Sequence, residues 1–207
     1  MSVAIIDISL NNLNSVRAAC EYYKLKTILT DEPKEILKSD AIILPGVGSY
    51  GVAMKNLKKK GTDQAIKEFY KTGKNIFGIC LGMQLLFEKS DEFGKNKGLS
   101  LIKGKVIKFN KKNNIQYIPY VGWNEIRLTK NKSKILNSKL NSKFMYFVHS
   151  FYCNPTSNKI VTATTKYGDL NYCSAISFEN IEAFQFHPEK SGKNGLEIYS
   201  KIKKSIS

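Results

Sequence analysis

Two histidines, four cysteines, one tryptophan and two arginines are all that this 207-residue chain contains of those four types. Each scarcity excludes something. With only His149 and His187 there is no histidine-rich metal site, and neither a metal nor another cofactor is expected. Cys20, Cys80, Cys153 and Cys173 include no C-x-x-C pair, which removes zinc ribbons and a dense disulfide framework and makes a reducing cytoplasm the simplest home. No stretch approaches the roughly eighteen consecutive apolar residues of a membrane span. The opening segment Met1–Ile8 lacks a basic n-region, so it reads as a first β-strand rather than a secretory signal. Arg17 and Arg127 stand alone among 33 basic residues that give a net charge of +16. A nucleic-acid surface would use more arginine, with its bidentate fork, and a clustered patch. Lysines spread along the whole chain, with abundant Asn and Ile, instead describe a solvated surface in an AT-rich genome, so no nucleic-acid partner is expected.

What remains is ordinary globular composition, 42% hydrophobic and 24% charged, enough for a single domain over 1–207. Short apolar runs alternate with helical periodicity in the first half. Strands are predicted at 3–8, 26–29, 40–44 and 75–79, and helices at 11–23, 33–37, 51–60, 62–71 and 82–89. Asp31 is a possible N-cap and Pro33 lies within the first turn of its helix. Such alternation predicts βαβ units and a parallel sheet covered on both faces. From residue 99 strands dominate (99–109, 115–118, 124–128, 145–149, 160–164, 172–178 and 183–186), with a final helix at 192–204. The Lys/Asn-rich segments 110–114 and 129–134 read as exposed loops. The expected fold is α/β, a mostly parallel core sheet with an antiparallel extension.

Three segments carry chemistry. Gly78-Ile79-Cys80-Leu81-Gly82 is a nucleophile between glycines at a strand–helix junction, a nucleophile elbow. The turn exposes the thiol at the carboxyl end of the sheet. The following helix offers backbone N–H groups that favour a thiolate, with Leu81 N–H the natural first oxyanion donor. Gln185-Phe186-His187-Pro188-Glu189 supplies a base and a carboxylate to orient it. His149 is the competing base. Pro45-Gly46-Val47-Gly48 is a glycine loop that lets the backbone approach a ligand and change conformation.

The set 45–48, Gly78–Phe87, Gly122-Trp123-Asn124, Tyr146–Ser150 and Gln185–Gly192 resembles the class I (triad) glutamine amidotransferases. Within them it resembles the HisH branch, the glutaminase subunits of imidazole glycerol phosphate synthases. The resemblance implies a flavodoxin-like three-layer fold and hydrolysis of glutamine to glutamate and ammonia. It implies Cys80 as nucleophile, His187 as general base and acid, and Glu189 as its partner. Leu81, Val47 and Gly48 match the oxyanion hole, and Gly46 and Gln84 match glutamine contacts. The implied partner is a HisF-type (β/α)8-barrel cyclase that receives the ammonia, with Asn12, Tyr120, Trp123, Tyr146 and Lys190 at the interface.

Two departures fall at positions that would face the partner. The family's D-Y-G-x-G-N-L reads Asp7-Ile8-Ser9-Leu10-Asn11-Asn12-Leu13, and P-H-M-G-W-N reads Pro119-Tyr120-Val121-Gly122-Trp123-Asn124. They would suit a paralogue supplying ammonia to a HisF-like partner for sugar amination or amidation, or plain drift. A free-standing γ-glutamyl hydrolase and a basic scaffold with a vestigial triad are the remaining readings.

Overall fold

A computed structural model describes residues 2–9 and 13–206. The strands are β1 Ser2–Ile6, β2 Lys26–Thr30, β3 Ala41–Leu44, β4 Ile76–Ile79, β5 Phe87–Ser90, β6 Asn96–Lys97, β7 Ile102–Lys108, β8 Tyr120–Leu128, β9 Lys143–His149, β10 Phe151–Pro155, β11 Val161–Tyr167, β12 Leu170–Phe178 and β13 Ile181–Phe184. The helices are α1 Leu13–Tyr22, α2 Pro33–Lys38, α3 Tyr50–Lys59, α4 Thr62–Lys71, α5 Leu81–Leu85 and α6 Gly192–Ile206.

The central path runs β2-β1-β3-β4-β13-β12-β10-β7-β5-β6. Its first five strands are mutually parallel, and β12, β10 and β7 continue it antiparallel. β11 pairs with β12 and carries β8, which carries β9. Alternate residues of β1 explain the layering. Ala4 and Ile6 belong to one apolar cluster, with Ile36, Met54, Leu57, Ile66 and Phe69 of α2–α4. Val3 and Ile5 belong to another, with Val16, Cys20, Ile198 and Ile202 of α1 and α6. Both sheet faces are therefore covered, and β1, β3 and β4 read as near-continuous apolar runs. The expected three-layer α/β fold is the observed one.

Several local expectations need correction. The helix expected at 82–89 stops at Leu85, because Phe87–Ser90 pairs in parallel with β7. Residues 115–118 form no strand, and pairing begins at Tyr120. β6 and β10 were not anticipated. Asp31 does not cap α2: Glu32 holds that position, while Asp31 pairs with Lys60 at 2.7 Å and its carbonyl accepts from Thr62 Oγ1. The 129–134 loop is anchored as well as exposed. Ser133 Oγ and the Lys134 amide both donate to buried Glu182 of β13.

In the first turn, Ser9 adopts φ +57°. Its amide donates to Asp7 Oδ1 at 2.7 Å, which helps hold that left-handed conformation. Asn11 and the expected interface residue Asn12 lie outside the described residues.

Candidate active site

Three parallel strands end at one point. Pro45–Gly48 follows β3, Cys80 follows β4, and Gln185-Phe186-His187 follows β13. Ligands of open α/β sheets bind at such carboxyl ends.

Cys80 occupies φ +53°, ψ −110°, a conformation rarely adopted by a residue with a Cβ. Strain of about 1–3 kcal/mol is typical of such backbone. It is held by Cys80 N–H donating to Phe184 O at 2.7 Å and Gln84 N–H donating to Cys80 O at 3.2 Å. Gly82 is required by close approach: a Cβ there would lie 1.6 Å from the Leu44 carbonyl oxygen. α5 is therefore seated directly on the end of β3. With only five residues, α5 carries far less dipole than a full helix, so the helix contribution expected at the thiol is small.

His187 is buried at the end of β13. Its backbone is fixed by Tyr146 O, which accepts its N–H at 2.9 Å, and by Ser191 Oγ, which donates to its carbonyl at 2.6 Å. Nδ1 lies 2.7 Å from Glu189 Oε1, with both side chains almost wholly enclosed. A carboxylate only accepts, so Nδ1 carries the hydrogen and Nε2 is left for Cys80. Nε2 meets no acceptor at full hydrogen-bond geometry. Burial alone would lower the imidazole pKa; the adjacent Cys80 and Glu189 outweigh it and raise it. This environment stabilises an imidazolium.

His149 is different. Its Nδ1 is 2.8 Å from Phe151 O and its Nε2 is 3.3 Å from Tyr172 Oη. Burial lowers its pKa to about 4, partly offset by the Phe151 carbonyl. It is a neutral histidine with both nitrogens engaged, which leaves no free nitrogen to serve as the base.

The cavity beside Cys80 has a volume of about 220 Å3. Val47, Gly48, Leu81, Gln84, Glu92 and Val148 are among its walls. Gly46 lines instead a small void against His187 and Glu189. The Leu81 N–H is not free, because it donates a long 3.4 Å bond to the Gly46 carbonyl. Glu92 escaped the sequence reading, since Ser90-Asp91-Glu92-Phe93-Gly94 reads as a solvated acidic turn. The fold brings Glu92 to the cavity and fixes one carboxylate oxygen on the Tyr50 amide at 2.6 Å.

The β8–β9 ribbon explains the outward-facing residues. Directly opposed pairs share a face, so Val121↔Val148, Trp123↔Tyr146 and Glu125↔Phe144 lie on one side. Val121, Trp123 and Phe144 there are 56%, 52% and 54% exposed, an apolar strip of a kind that marks interaction surfaces. The Trp123 and Tyr146 rings meet edge to face at 5.9 Å, and Lys190 Nζ lies 5.9 Å from the Tyr146 ring centre. The opposite face carries Met145, Phe147 and Ile126 into the core, together with His149, which Tyr120 opposes. A concavity lined by Leu13, Asn14, Val47, Tyr146, Val148 and Lys190 opens on the outer side. It shares Val47 and Val148 with the cavity at Cys80. Among the described residues no cluster of His, Cys, Asp and Glu is arranged to hold a metal, and no helix is long and apolar enough to cross a membrane.

A strained cysteine at the end of a parallel strand, beside a histidine–carboxylate pair, is the arrangement of a thiol hydrolase on an α/β fold. The family model for glutamine amidotransferase class-I matches residues 4–202. The chain belongs to that family and is a glutamine amidotransferase. Among its relatives, imidazole glycerol phosphate synthase subunit HisH of Chlorobaculum tepidum is 40% identical over 95% of this chain and 96% of its own. The protein of the same name from Pyrococcus furiosus is 42% identical over 94% of each chain. The structure of PurLQS from Thermotoga maritima superposes with a TM-score of 0.77 at 18% identity, covering 100% of this chain and 99% of that one, which is a likeness of fold.

Proposed function

We propose that this chain is the glutaminase subunit of an imidazole glycerol phosphate synthase, acting in the cytoplasm in histidine biosynthesis as one domain over 1–207. The pathway assignment is supported by relatives of that name at about 40% identity over nearly the whole chain. The chemistry is carried by one observation, the His187–Glu189 pair held at the thiol of Cys80.

Cys80 gives its proton to His187 Nε2, and the sulfur attacks the side-chain amide carbon of glutamine. The C–S bond forms as the carbonyl electron pair moves onto oxygen. The oxyanion is received by the Leu81 N–H and by the Val47–Gly48 backbone once the Gly46 carbonyl has swung away. Collapse breaks the C–N bond, His187 protonates the leaving nitrogen, and ammonia departs from a glutamyl thioester. Water then attacks the thioester, giving its proton to His187. Glutamate leaves and the thiol is restored. Glu189 keeps the imidazole in the required tautomer throughout.

Both hydrogens of Gln84 Nε2 are already used, on Phe151 O and Gln185 Oε1. Gln84 therefore contributes an acceptor to bound glutamine. Glu92 supplies the charge that the α-ammonium group requires.

The partner is a HisF-type (β/α)8-barrel cyclase docked on the β8–β9 face through Trp123, Tyr146 and Lys190; Tyr120, expected at the interface, lies on the opposite face of the ribbon, its ring against His149 and Tyr167. Ammonia passes from the Cys80 cavity to the outer concavity between their shared walls, Val47 and Val148. The departures at Ser9, Asn11, Tyr120 and Val121 would suit a second acceptor, a sugar held by a HisF-like barrel, and equally suit plain drift. Glutamine turnover by this chain with the barrel of the same genome, with and without the histidine-pathway ligand PRFAR, decides between them, with Cys80→Ala as the blank. Stimulation by PRFAR supports the histidine pathway. Turnover indifferent to it moves the acceptor to a sugar, and turnover undiminished without any barrel favours a free-standing hydrolase.

A further inference from the structure

We propose that Gln185 is a further catalytic residue: its side-chain amide donates a hydrogen bond to the Cys80 sulfur while Gln84 holds it in place, so one amide joins the wall of the glutamine cavity to the nucleophile. The inference rests on Cys80 being the nucleophile.

Gln185 is fully buried at the end of β13, and its backbone N–H donates to Ser174 O at 2.9 Å. Its side-chain Nε2 lies 3.7 Å from Cys80 Sγ, within hydrogen-bonding range of sulfur. The direction of this amide follows from a chain of necessity. Phe151 O can only accept, so the Gln84 atom 2.9 Å away is Nε2. That same Nε2 lies 3.0 Å from Gln185, whose facing atom must then be Oε1. Only the Gln185 N–H group remains to meet the sulfur. The thiol itself faces the Val148 carbonyl at 3.7 Å. A neutral thiol can donate to that carbonyl, whereas a thiolate cannot and is repelled by it. Once His187 holds the proton it is one donor to a thiolate here, and the Gln185 amide adds a second. The short α5 helix supplies little of this. A hydrogen bond to an ionised acceptor is about twice as strong as a neutral one, so the Gln185 contact strengthens as the proton leaves.

The bridge has a second consequence. Gln84 lines the cavity that receives glutamine, so ordering Gln84 on substrate also orders the donor at the sulfur. Gln84 thereby acts on the nucleophile even with the cavity free of glutamine.

The test is the pH dependence of iodoacetamide alkylation at Cys80 in the full chain, mapped by mass spectrometry without glutamine. Gln185→Met removes the donor at similar volume, and Gln185→Glu puts a carboxylate against the sulfur. Each is expected to slow alkylation at neutral pH by about tenfold or more and to move its midpoint upward, Glu further than Met. Gln84→Met is expected to move the midpoint the same way by less. For glutamine hydrolysis with the barrel partner, Gln185→Met is expected to lower kcat with KM changed less than about threefold. Folded variants with an unmoved midpoint and unchanged kcat would overturn the proposal. Should a variant fail to fold, the Gln185 side-chain amide resonance of the unsubstituted chain reports instead. It is expected to shift with the Cys80 titration and to be flat in Cys80→Ala; a flat response in both overturns the assignment. Glutamine hydrolysis surviving in Cys80→Ala would sink the nucleophile reading itself, a separate outcome.

Discussion

The amide of Leu81, the residue after Cys80, is bonded to the carbonyl of Gly46 at 3.4 Å. That bond is long and weak, and breaking it frees the donor. The loop carrying that carbonyl continues into Val47 and Gly48, which line the cavity at Cys80, and Val47 also lines the outer concavity. Glutamine hydrolysis by the chain alone is therefore expected to be slow and to rise when a partner reorients Pro45–Gly48. Gly48 sits at φ +102°, where a side chain is strained. Gly48→Ala is expected to lower partner-stimulated turnover by about tenfold or more while leaving iodoacetamide labelling of Cys80 in place. Full stimulation in the variant would show that the loop does not gate the donor.

Cys80→Ala is expected to abolish glutamine hydrolysis, and a glutamine-analogue electrophile is expected to label Cys80 alone. The other three thiols are poorly placed to compete. Burial pushes Cys20 and Cys173 up to about 12 and raises Cys153 as well, so all three remain protonated and inert near neutral pH. Peptide mapping after labelling reads this directly.

Glu189→Gln keeps a hydrogen-bonding group beside His187 but removes the charge that favours its imidazolium. A fall in kcat of roughly a hundredfold or more is expected, with little change in KM. His187→Asn should abolish turnover. His149→Gln should not, because His149 has no nitrogen free for Cys80. Steady-state rates of the three variants, each with the barrel partner, distinguish the two histidines.

Acid should destabilise the chain through His149. Its folded pKa, about 4, lies below the ordinary value of 6.5, so the unfolded chain binds the extra proton first. The stability it contributes is present above pH 6.5 and lost as pH falls toward 4, by about 3 kcal/mol in all. Urea unfolding across that window should show a shallower loss in His149→Gln than in the unsubstituted chain. His187 contributes with the opposite sign. Its raised folded pKa adds stability that is complete below its unfolded value and fades only as pH rises.

Trp123→Ala is expected to weaken docking of the barrel by about thirtyfold, near the 2 kcal/mol of an aromatic anchor at an interface. Titration calorimetry measures it, and unchanged affinity would put the interface elsewhere.

Much of the core was legible because β1, β3 and β4 are buried on both faces and leave an unbroken apolar signature. The elbow and the His187–Glu189 pair were legible because each sits on a sharp turn beside a strand. Phe87–Ser90 was misread because its helical surroundings carry no trace of the β7 partner that draws it into the sheet. Glu92 was hidden for the same kind of reason, since nothing local distinguishes it from the acidic residue before it. Gln185 lay in plain view within its motif. Its importance depends on Gln84 and Cys80, a hundred or so positions away in the chain.

β9 alternates between two environments. Tyr146 and Val148 look outward on the exposed strip, whereas the Tyr146 carbonyl holds the His187 amide and the Val148 carbonyl faces the Cys80 thiol. Whatever docks on the outer side therefore presses on the same peptide units that touch His187 and Cys80. No relay of intervening residues is required. The strand is a common wall, and the site can sense its neighbour through one thickness of backbone.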